Sequence, residues 1–321
     1  MKSAHVTTLH PNTCPICEET DFHNYKLGLL QCPGCGVVLS PASWQAQANE
    51  QLEDEWFGDV YQAEASWWVM LFEKWNNRKT LARLSQAKPS GRRLLEIGVG
   101  SGSLLNAARA AGYEVLGCDL SGSICARVRR DYGITMHGEP LATLVDEKGF
   151  DVIVMNHLLE HVQQPIQFLE NVRCLLAPGG LVHIAVPNIA CWEAVLTGWT
   201  SYEPYHLTYF DPQTLRRTVS ASGLIVDSIN TYDSFSGWFL GLLRTALGVN
   251  RDAGAVVRPA TSMAGRAAGR RSGIVEHSYR LAMMCTGGGF GRYVGYKVNW
   301  DMVMRLFASP VALSKIHRPL G

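Results

Sequence analysis

The chain has 321 residues, 47% of them hydrophobic, enough for one large domain with additions. Its net charge of +1 excludes a global field that would draw nucleic acid or an anionic surface, so such a partner would need a local patch. The opening stretch MKSAHVTTLHPNTC lacks the apolar core of a secretory signal, and no apolar run reaches membrane-spanning length, so the cytoplasm is the expected location.

Residues 1–40 carry two cysteine pairs, Cys14-Pro-Ile-Cys17 and Cys32-Pro-Gly-Cys35, separated by 14 residues. Each pair is a knuckle that aims two thiolates at one point, and two knuckles make a tetrahedral site for structural Zn²⁺. Gly34 and Gly36 give the second knuckle its turn freedom. A closed four-thiolate site stabilises and does no chemistry. A zinc ribbon that buttresses its neighbour is therefore favoured over a finger gripping RNA or substrate. The other cysteines are scattered and read as small buried hydrophobes.

Residues 41–90 form a helical lead-in. Trp56, Phe57, Tyr61, Trp67 and Trp68 fall at helical spacings and suit packing better than a lid over a cleft. Residues 91–231 alternate short apolar runs with helix-like segments, which predicts an α/β domain with a parallel, doubly wound sheet. The expected strands are LLEIG, YEVLGCD, GITMH, DVIVMN, GLVHIAVPN and LIVDSIN. Pro165 fits the first turn of a helix, and Pro178-Gly179-Gly180 stops it.

Residues 232–278 join an apolar helical segment to an Arg-rich stretch, with five Arg against one Asp in 250–273. Such a pair, spanning 234–273, could contact an anionic membrane face on the inner side, form a homodimer contact, or roof an acceptor pocket. The basic stretch has no interleaved aromatics, which leans against nucleic acid. In residues 279–321, YRLAMMCT or GRYVGYKV is expected to give the last strand and WDMVMRLFA a C-terminal helix.

The stretch LLEIGVGSGSLLNAAR is the most informative. A strand runs into Gly98, Gly100 and Gly102 and then into a helix, so a ligand can approach the helix N-terminus. Asp119, 21 residues after Gly98, ends the second strand, where a carboxylate can take two ribose hydroxyls. Glu96 inside the first strand suits a cationic ligand better than a pyrophosphate.

Together, E-x-G-x-G-x-G, the acid ending strand two and the E-H-V-x-x-P run after strand four resemble a class I S-adenosylmethionine-dependent methyltransferase over roughly residues 75–230. The likeness is to the ubiquinone-biosynthesis O-methyltransferase branch and to related bacterial enzymes of glycan and natural-product pathways. It implies a Rossmann-like, mostly parallel seven-stranded sheet. It further implies that Gly98, Gly100 and Gly102, with Glu96, wrap the methionine part of the cofactor. Asp119 and Leu120 would hold the nucleoside, Asn156 would lie near the sulfonium, and Arg78 would take the carboxylate.

His157-Leu-Leu-Glu160-His161 also matches H-x-x-E-H, an inverted zinc-peptidase signature. That chemistry needs the histidines mid-helix, whereas DVIVMN before them reads as a strand, so the peptidase reading is set aside. Methyl transfer to a hydroxyl needs alignment and proton removal. His157, His161 and His206 are candidate bases, His206 preferred, and Glu160 could orient one of them. Alternatively, Glu160 and His161 cap the following helix and fix a loop. His183 reads as a strand residue. The expected activity is methyl transfer from S-adenosylmethionine to a hydroxyl of a small-molecule, glycan or lipid-linked acceptor. An RNA methyltransferase or a non-catalytic binding scaffold are the alternatives.

Overall fold

The computed structural model describes residues 13–42, 67–87, 89–144, 147–199, 201–202, 205–231, 242, 245–246 and 303–310, of which 67–72 and 303–310 are described as backbone. The chain begins with short strands β1 (His23–Asn24), β2 (Leu30–Gln31) and β3 (Val38–Leu39), paired antiparallel in sequence order. Helix α1 (Trp67–Gln86) then leads into the main sheet.

Strands β4 (Arg93–Ile97), β5 (Glu114–Cys118), β6 (Met136–His137), β7 (Phe150–Asn156) and β8 (Leu176–Pro187) are parallel and lie in the order β6-β5-β4-β7-β8. Helices α2 (Ser103–Ala110), α3 (Gly122–Tyr132) and α4 (Pro165–Leu175) occupy the intervals between them in the chain. After β8 come β9 (Thr208–Tyr209), α5 (Pro212–Ala221), β10 (Leu224–Asn230) and β11 (Val303–Pro310). β11 pairs antiparallel with both β8 and β10, so the sheet continues β8-β11-β10. The expected doubly wound α/β fold is the one observed.

Alternate side chains of each strand go to opposite faces, and a parallel sheet buries both. On one face Leu94, Val152 and Val154 pack with Leu104, Leu105 and Ala108 of α2 and Ile124, Cys125 and Val128 of α3. On the other, Leu95, Ile97, Ile153 and Met155 pack with Leu169, Val172 and Leu175 of α4 and Leu215 and Val219 of α5. Each such aliphatic side chain contributes about 1.5–3 kcal/mol by leaving water, so these two layers fix the strand ends in place. Asp211 caps α5 through the amides of Gln213 and Thr214, and Thr214 returns a bond to the Asp211 amide, a closed capping box.

The last strand departs from expectation. It falls at Val303–Pro310, overlapping all but the first three residues of WDMVMRLFA, whose apolar spacing predicted a helix. Backbone groups along β8 need partners, and an extended segment supplies them from far along the chain, which helical spacing alone cannot reveal. The two stretches expected to give that strand lie outside the described residues, as do Trp56, Phe57, Tyr61 and nearly all of 232–278, including its expected membrane contact. Thr245, which is described there, accepts a hydrogen bond from the Gly198 amide at 3.1 Å. No described helix is long and apolar enough to cross a membrane.

β9 is an element that the sequence did not announce. It pairs antiparallel with β3, so the cysteine ribbon and the segment after β8 share a sheet in the order β1-β2-β3-β9. Leu29 and Val38 of the ribbon pack with Ile189, Trp199, Tyr202 and Tyr209 in one buried cluster.

Candidate functional site

The carboxyl ends of β4, β5 and β7 meet where strand order reverses, the crevice in which open α/β sheets bind ligands. β4 delivers the glycine loop. Gly98 and Gly102 both sit at φ +74°, a conformation that L side chains rarely adopt. A Cβ at Gly98 would stand 3.1 Å from Leu158 Cδ1, and one at Gly102 would stand 2.8 Å from Val128 Cγ2. The backbone therefore passes close to its neighbours, and the loop feeds directly into α2, with Gly102 at its N-cap.

β5 delivers Asp119. Its two carboxylate oxygens accept the amides of Val99 and Ser121, each at 2.9 Å. One carboxylate thus ties the glycine loop to the turn that begins α3. Burial pushes its pKa above the ordinary range, opposed by the amides of Ser121, Val99 and Gly100 and by the Arg127 guanidinium. Arg127 also donates to the Gly100 carbonyl at 2.6 Å. Leu120 beside it is 71% exposed, an apolar surface at the rim. Glu96 is buried beneath the loop. A carboxylate at the strand end, a glycine loop held in place by it and an apolar rim fit a nucleoside bearing a cationic sulfur.

Two loop partners were not visible in the sequence. Glu73 accepts from Ser101 Oγ, and Asn77 donates to Ser103 Oγ, both at 3.1 Å. They lie four residues apart, on one face of α1, and hold that helix against the loop. The signal was a polar i, i+4 pair within an aromatic helix. Arg78 is exposed on α1, about 100° around the helix from Asn77.

β7 ends at Asn156, and the chain then turns sharply through His157 at φ +53°. A 3₁₀ turn, Leu159–His161, follows. The H-x-x-E-H residues are therefore not spread along a helix, as a peptidase site would require. Nor do Glu160 and His161 cap α4, whose N-cap is Gln164 without a side-chain cap bond. The capping alternative is overturned because Glu160 turns inward and is 1% exposed.

Glu160 sits among histidines. His157 Nδ1 lies 3.5 Å from its Oε1. An oxygen of Glu160 and a ring nitrogen each of His161 and His206 lie within 4.8 Å of one another, a spacing that suits a shared proton or a cation. Although burial alone would raise the Glu160 pKa, the His157 ring paired with it and the charges of His161 and His206 hold it below the ordinary value. A buried carboxylate is thus kept ionised.

The two ring tautomers follow from their partners. His161 Nδ1 lies 3.0 Å from the Tyr205 carbonyl, and His206 Nδ1 lies 2.9 Å from the Ser201 carbonyl. A carbonyl only accepts, so both Nδ1 atoms carry hydrogen and Nε2 is the basic atom of each neutral ring. The His161 and His206 rings meet edge to face at 4.8 Å, with Tyr205 and Tyr209 beside His206 at 5.3 and 5.9 Å. The structure therefore gathers Glu160, His157, His161 and His206 into one group. His183, by contrast, is buried within β8.

The cysteine quartet also comes together. Cys14 and Cys35 sulfurs lie 3.5 Å apart, Cys17 and Cys32 sulfurs 3.4 Å, and all four are within 4.8 Å of one another. A tetrahedral Zn²⁺ with bonds of about 2.3 Å needs sulfurs about 3.8 Å apart. Burial pushes the Cys14 thiol up to about 11 and Cys35 higher still. Cys32, despite its own burial, is held below the usual value by the Cys35 amide and by Cys17, Cys35 and Cys14. Four thiol sulfurs converging at this spacing fit a divalent cation.

Residues 71–229 match the methyltransferase domain family. With the strand order and the glycine-loop crevice already established, that match decides the identity. Residues 71–229 are a class I methyltransferase domain. The methyl donor of such domains is S-adenosylmethionine. Among curated relatives, the ubiquinone biosynthesis O-methyltransferase of Paraburkholderia phymatum is 33% identical over 111 residues, covering 32% of this chain and 48% of that protein. The enzyme of the same name from Roseobacter denitrificans is 36% identical over 97 residues, covering 28% and 39%. The chain spans about half the length, or less, of these relatives. A solved S-adenosylmethionine-dependent methyltransferase from Archaeoglobus fulgidus aligns over 75% of this chain and 98% of its own at 15% identity, with a TM-score of 0.45. The methyltransferase domain begins within α1 and ends within β10, so the cysteine ribbon lies outside it.

Proposed function

We propose that the chain transfers the methyl group of S-adenosylmethionine to a hydroxyl of a small-molecule, glycan or lipid-linked acceptor, with His206 as general base. The observation that carries this reading is the buried Glu160 carboxylate among His157, His161 and His206, on the segment that leaves the same sheet edge as the glycine loop.

Gly98, Gly100, Gly102 and Glu96 would hold the methionine part, Asp119 and Leu120 the nucleoside, and Asn156 the region of the sulfur. Arg78 would take the carboxylate by folding its long side chain back over the loop. When bound, S-adenosylmethionine supplies an electrophilic methyl group on a sulfonium. The protein's tasks are then to align the acceptor oxygen in line and to remove its proton. His206, with Nδ1 hydrogen-bonded to Ser201 O, accepts that proton at Nε2. Glu160 stabilises the imidazolium that results, with the His157 ring beside its Oε1 favouring the ionised carboxylate.

The acceptor side has an apolar character that suits a hydroxyl on an aromatic or lipid-linked molecule. Trp192 and Val195, on the segment that joins β8 to β9, are 46% and 67% exposed. Cys14, Cys17, Cys32 and Cys35 would hold Zn²⁺ as a closed, structural site with no part in the chemistry.

The test is mass spectrometry of cell extracts incubated with the full chain and methyl-labelled S-adenosylmethionine. A labelled product names the acceptor, and His206→Asn lowers its formation by about 10²–10⁴-fold with cofactor binding retained. A product formed equally well by His206→Asn removes His206 as base. Cofactor binding without any labelled product would make the chain a scaffold.

A further inference from the structure

The ribbon is joined to His206 by more than packing. Ser40, fully buried at the end of β3, donates its hydroxyl to the His206 carbonyl, and its amide donates to the Leu207 carbonyl at 3.0 Å. The Leu207 amide in turn donates to the Glu160 carbonyl at 2.8 Å. The peptides flanking His206 are thus clamped between the ribbon on one side and the Glu160 segment on the other. The clamp continues as strand pairing, with Leu39 opposite Thr208 and Val38 opposite Tyr209.

On the ribbon's side, the second knuckle lies immediately before β3. The Gly36 amide bonds the Cys32 carbonyl at 2.8 Å, and the Cys32 amide bonds the Val37 carbonyl at 2.9 Å. Arg217 of α5 reaches the Gly34 carbonyl at 3.3 Å. Val99 of the glycine loop packs in a cluster that contains no ribbon residue.

We infer that Ser40 is a positioning residue for His206, and that the cysteine ribbon, through Ser40 and β3, sets the acceptor side of the site while leaving the cofactor side alone. This rests on the reading of His206 as the base. The physical reason is a division of labour. The ring of His206 is fixed at Nδ1 by Ser201, but that bond holds orientation only if the main chain of residue 206 stays in place. A buried hydroxyl-to-carbonyl bond and an intersheet pairing hold it there. Loss of metal from the quartet would release the Cys32–Cys35 knuckle that runs into β3, and β3 is what registers β9.

The experiment uses the full chain loaded with zinc and labelled with ¹⁵N-histidine, the His206 ring signals being assigned with His206→Gln. Ser40→Ala is expected to shift the His206 ring signals away from the Nδ1-protonated tautomer. The affinity for S-adenosylmethionine by calorimetry should change by less than about twofold, and Ser40→Thr should restore the wild-type signals. Unchanged His206 signals in Ser40→Ala would overturn the inference, as would loss of cofactor affinity in that variant. Should Ser40→Ala fail to fold, chelation of zinc from the wild type gives a second reading by hydrogen exchange. Protection is expected to fall in 205–210 and to persist in 94–119; a uniform loss counts against the inference. Neither readout requires methyl transfer, so failure of His206 as base would be seen separately.

Discussion

His183 offers a stability prediction whose sign and size come from its surroundings. It lies in the middle of β8, paired in register with Val154 of β7, and is fully buried. Burial, with a smaller contribution from the Arg83 charge, lowers its pKa to about 4 from 6.5. The neutral ring is therefore the folded form, and the unfolded chain takes up the proton first. Its contribution is fully present above the unfolded pKa of 6.5 and is lost as pH falls toward the folded value of about 4. A tenfold difference in proton affinity between the two states corresponds to about 1.4 kcal/mol, so acidification across that window costs about 3 kcal/mol. Urea unfolding of wild type and of non-titrating His183→Gln, each at pH 7 and pH 4.5, isolates the contribution of the ring. Carboxylates and the cysteine site titrate in both proteins and cancel. The wild type should lose about 2–3 kcal/mol more than the variant on acidification. A difference between the two that stays flat with pH would refute the placement of a neutral histidine in the sheet.

Gly102→Ala should destabilise the chain by about 2–4 kcal/mol in urea unfolding, because the new Cβ meets both a left-handed backbone and Val128 Cγ2 at 2.8 Å. An unchanged midpoint would mean that the loop is not built this way. Glu160→Gln removes the charge that favours the imidazolium, so the acid limb of the pH–rate profile should move to lower pH while the rate falls about 10²-fold; a profile in the same place contradicts the assigned grouping. Asp211→Ala breaks the α5 capping box and should cost about 1–2 kcal/mol of stability, read from thermal or urea unfolding.

The sheet was legible because its strands are short apolar runs buried on both faces, bounded by glycines and acids. LIVDSIN maps onto Leu224–Asn230 without displacement, and DVIVMN onto all but the first residue of Phe150–Asn156. The cysteine quartet was legible because knuckle spacing is local. Gly98, Gly102 and Asp119 were legible for a similar reason: a strand end followed by residues that tolerate positive φ leaves a fixed spacing to the next strand. What escaped was non-local. β11 was read as a helix because its apolar spacing fits either period, and only β8 far back in the chain decides between them. β9 is a two-residue strand whose partner lies in the ribbon, and no pattern in EPYHLTYF announces that pairing. Glu160 and His161 resembled a cap because caps and buried carboxylates use the same residue types at strand ends. Burial separates the two roles. Glu73 and Asn77 stand in a helix dense in aromatic residues, whose spacing points to packing and not to polar ties with the loop.

The measurement that bears most directly on the domain's chemistry is calorimetric titration of the zinc-loaded full chain with S-adenosylmethionine, beside Asp119→Ala. Saturable one-to-one binding is expected for the wild type. The variant should be weaker by about ten- to a hundredfold, since it loses the anchor for both the Val99 and Ser121 amides as well as the ribose contact proposed for it. No heat with the wild type, or equal affinity in the two proteins, would contradict the crevice at the carboxyl ends of β4, β5 and β7 as the cofactor site.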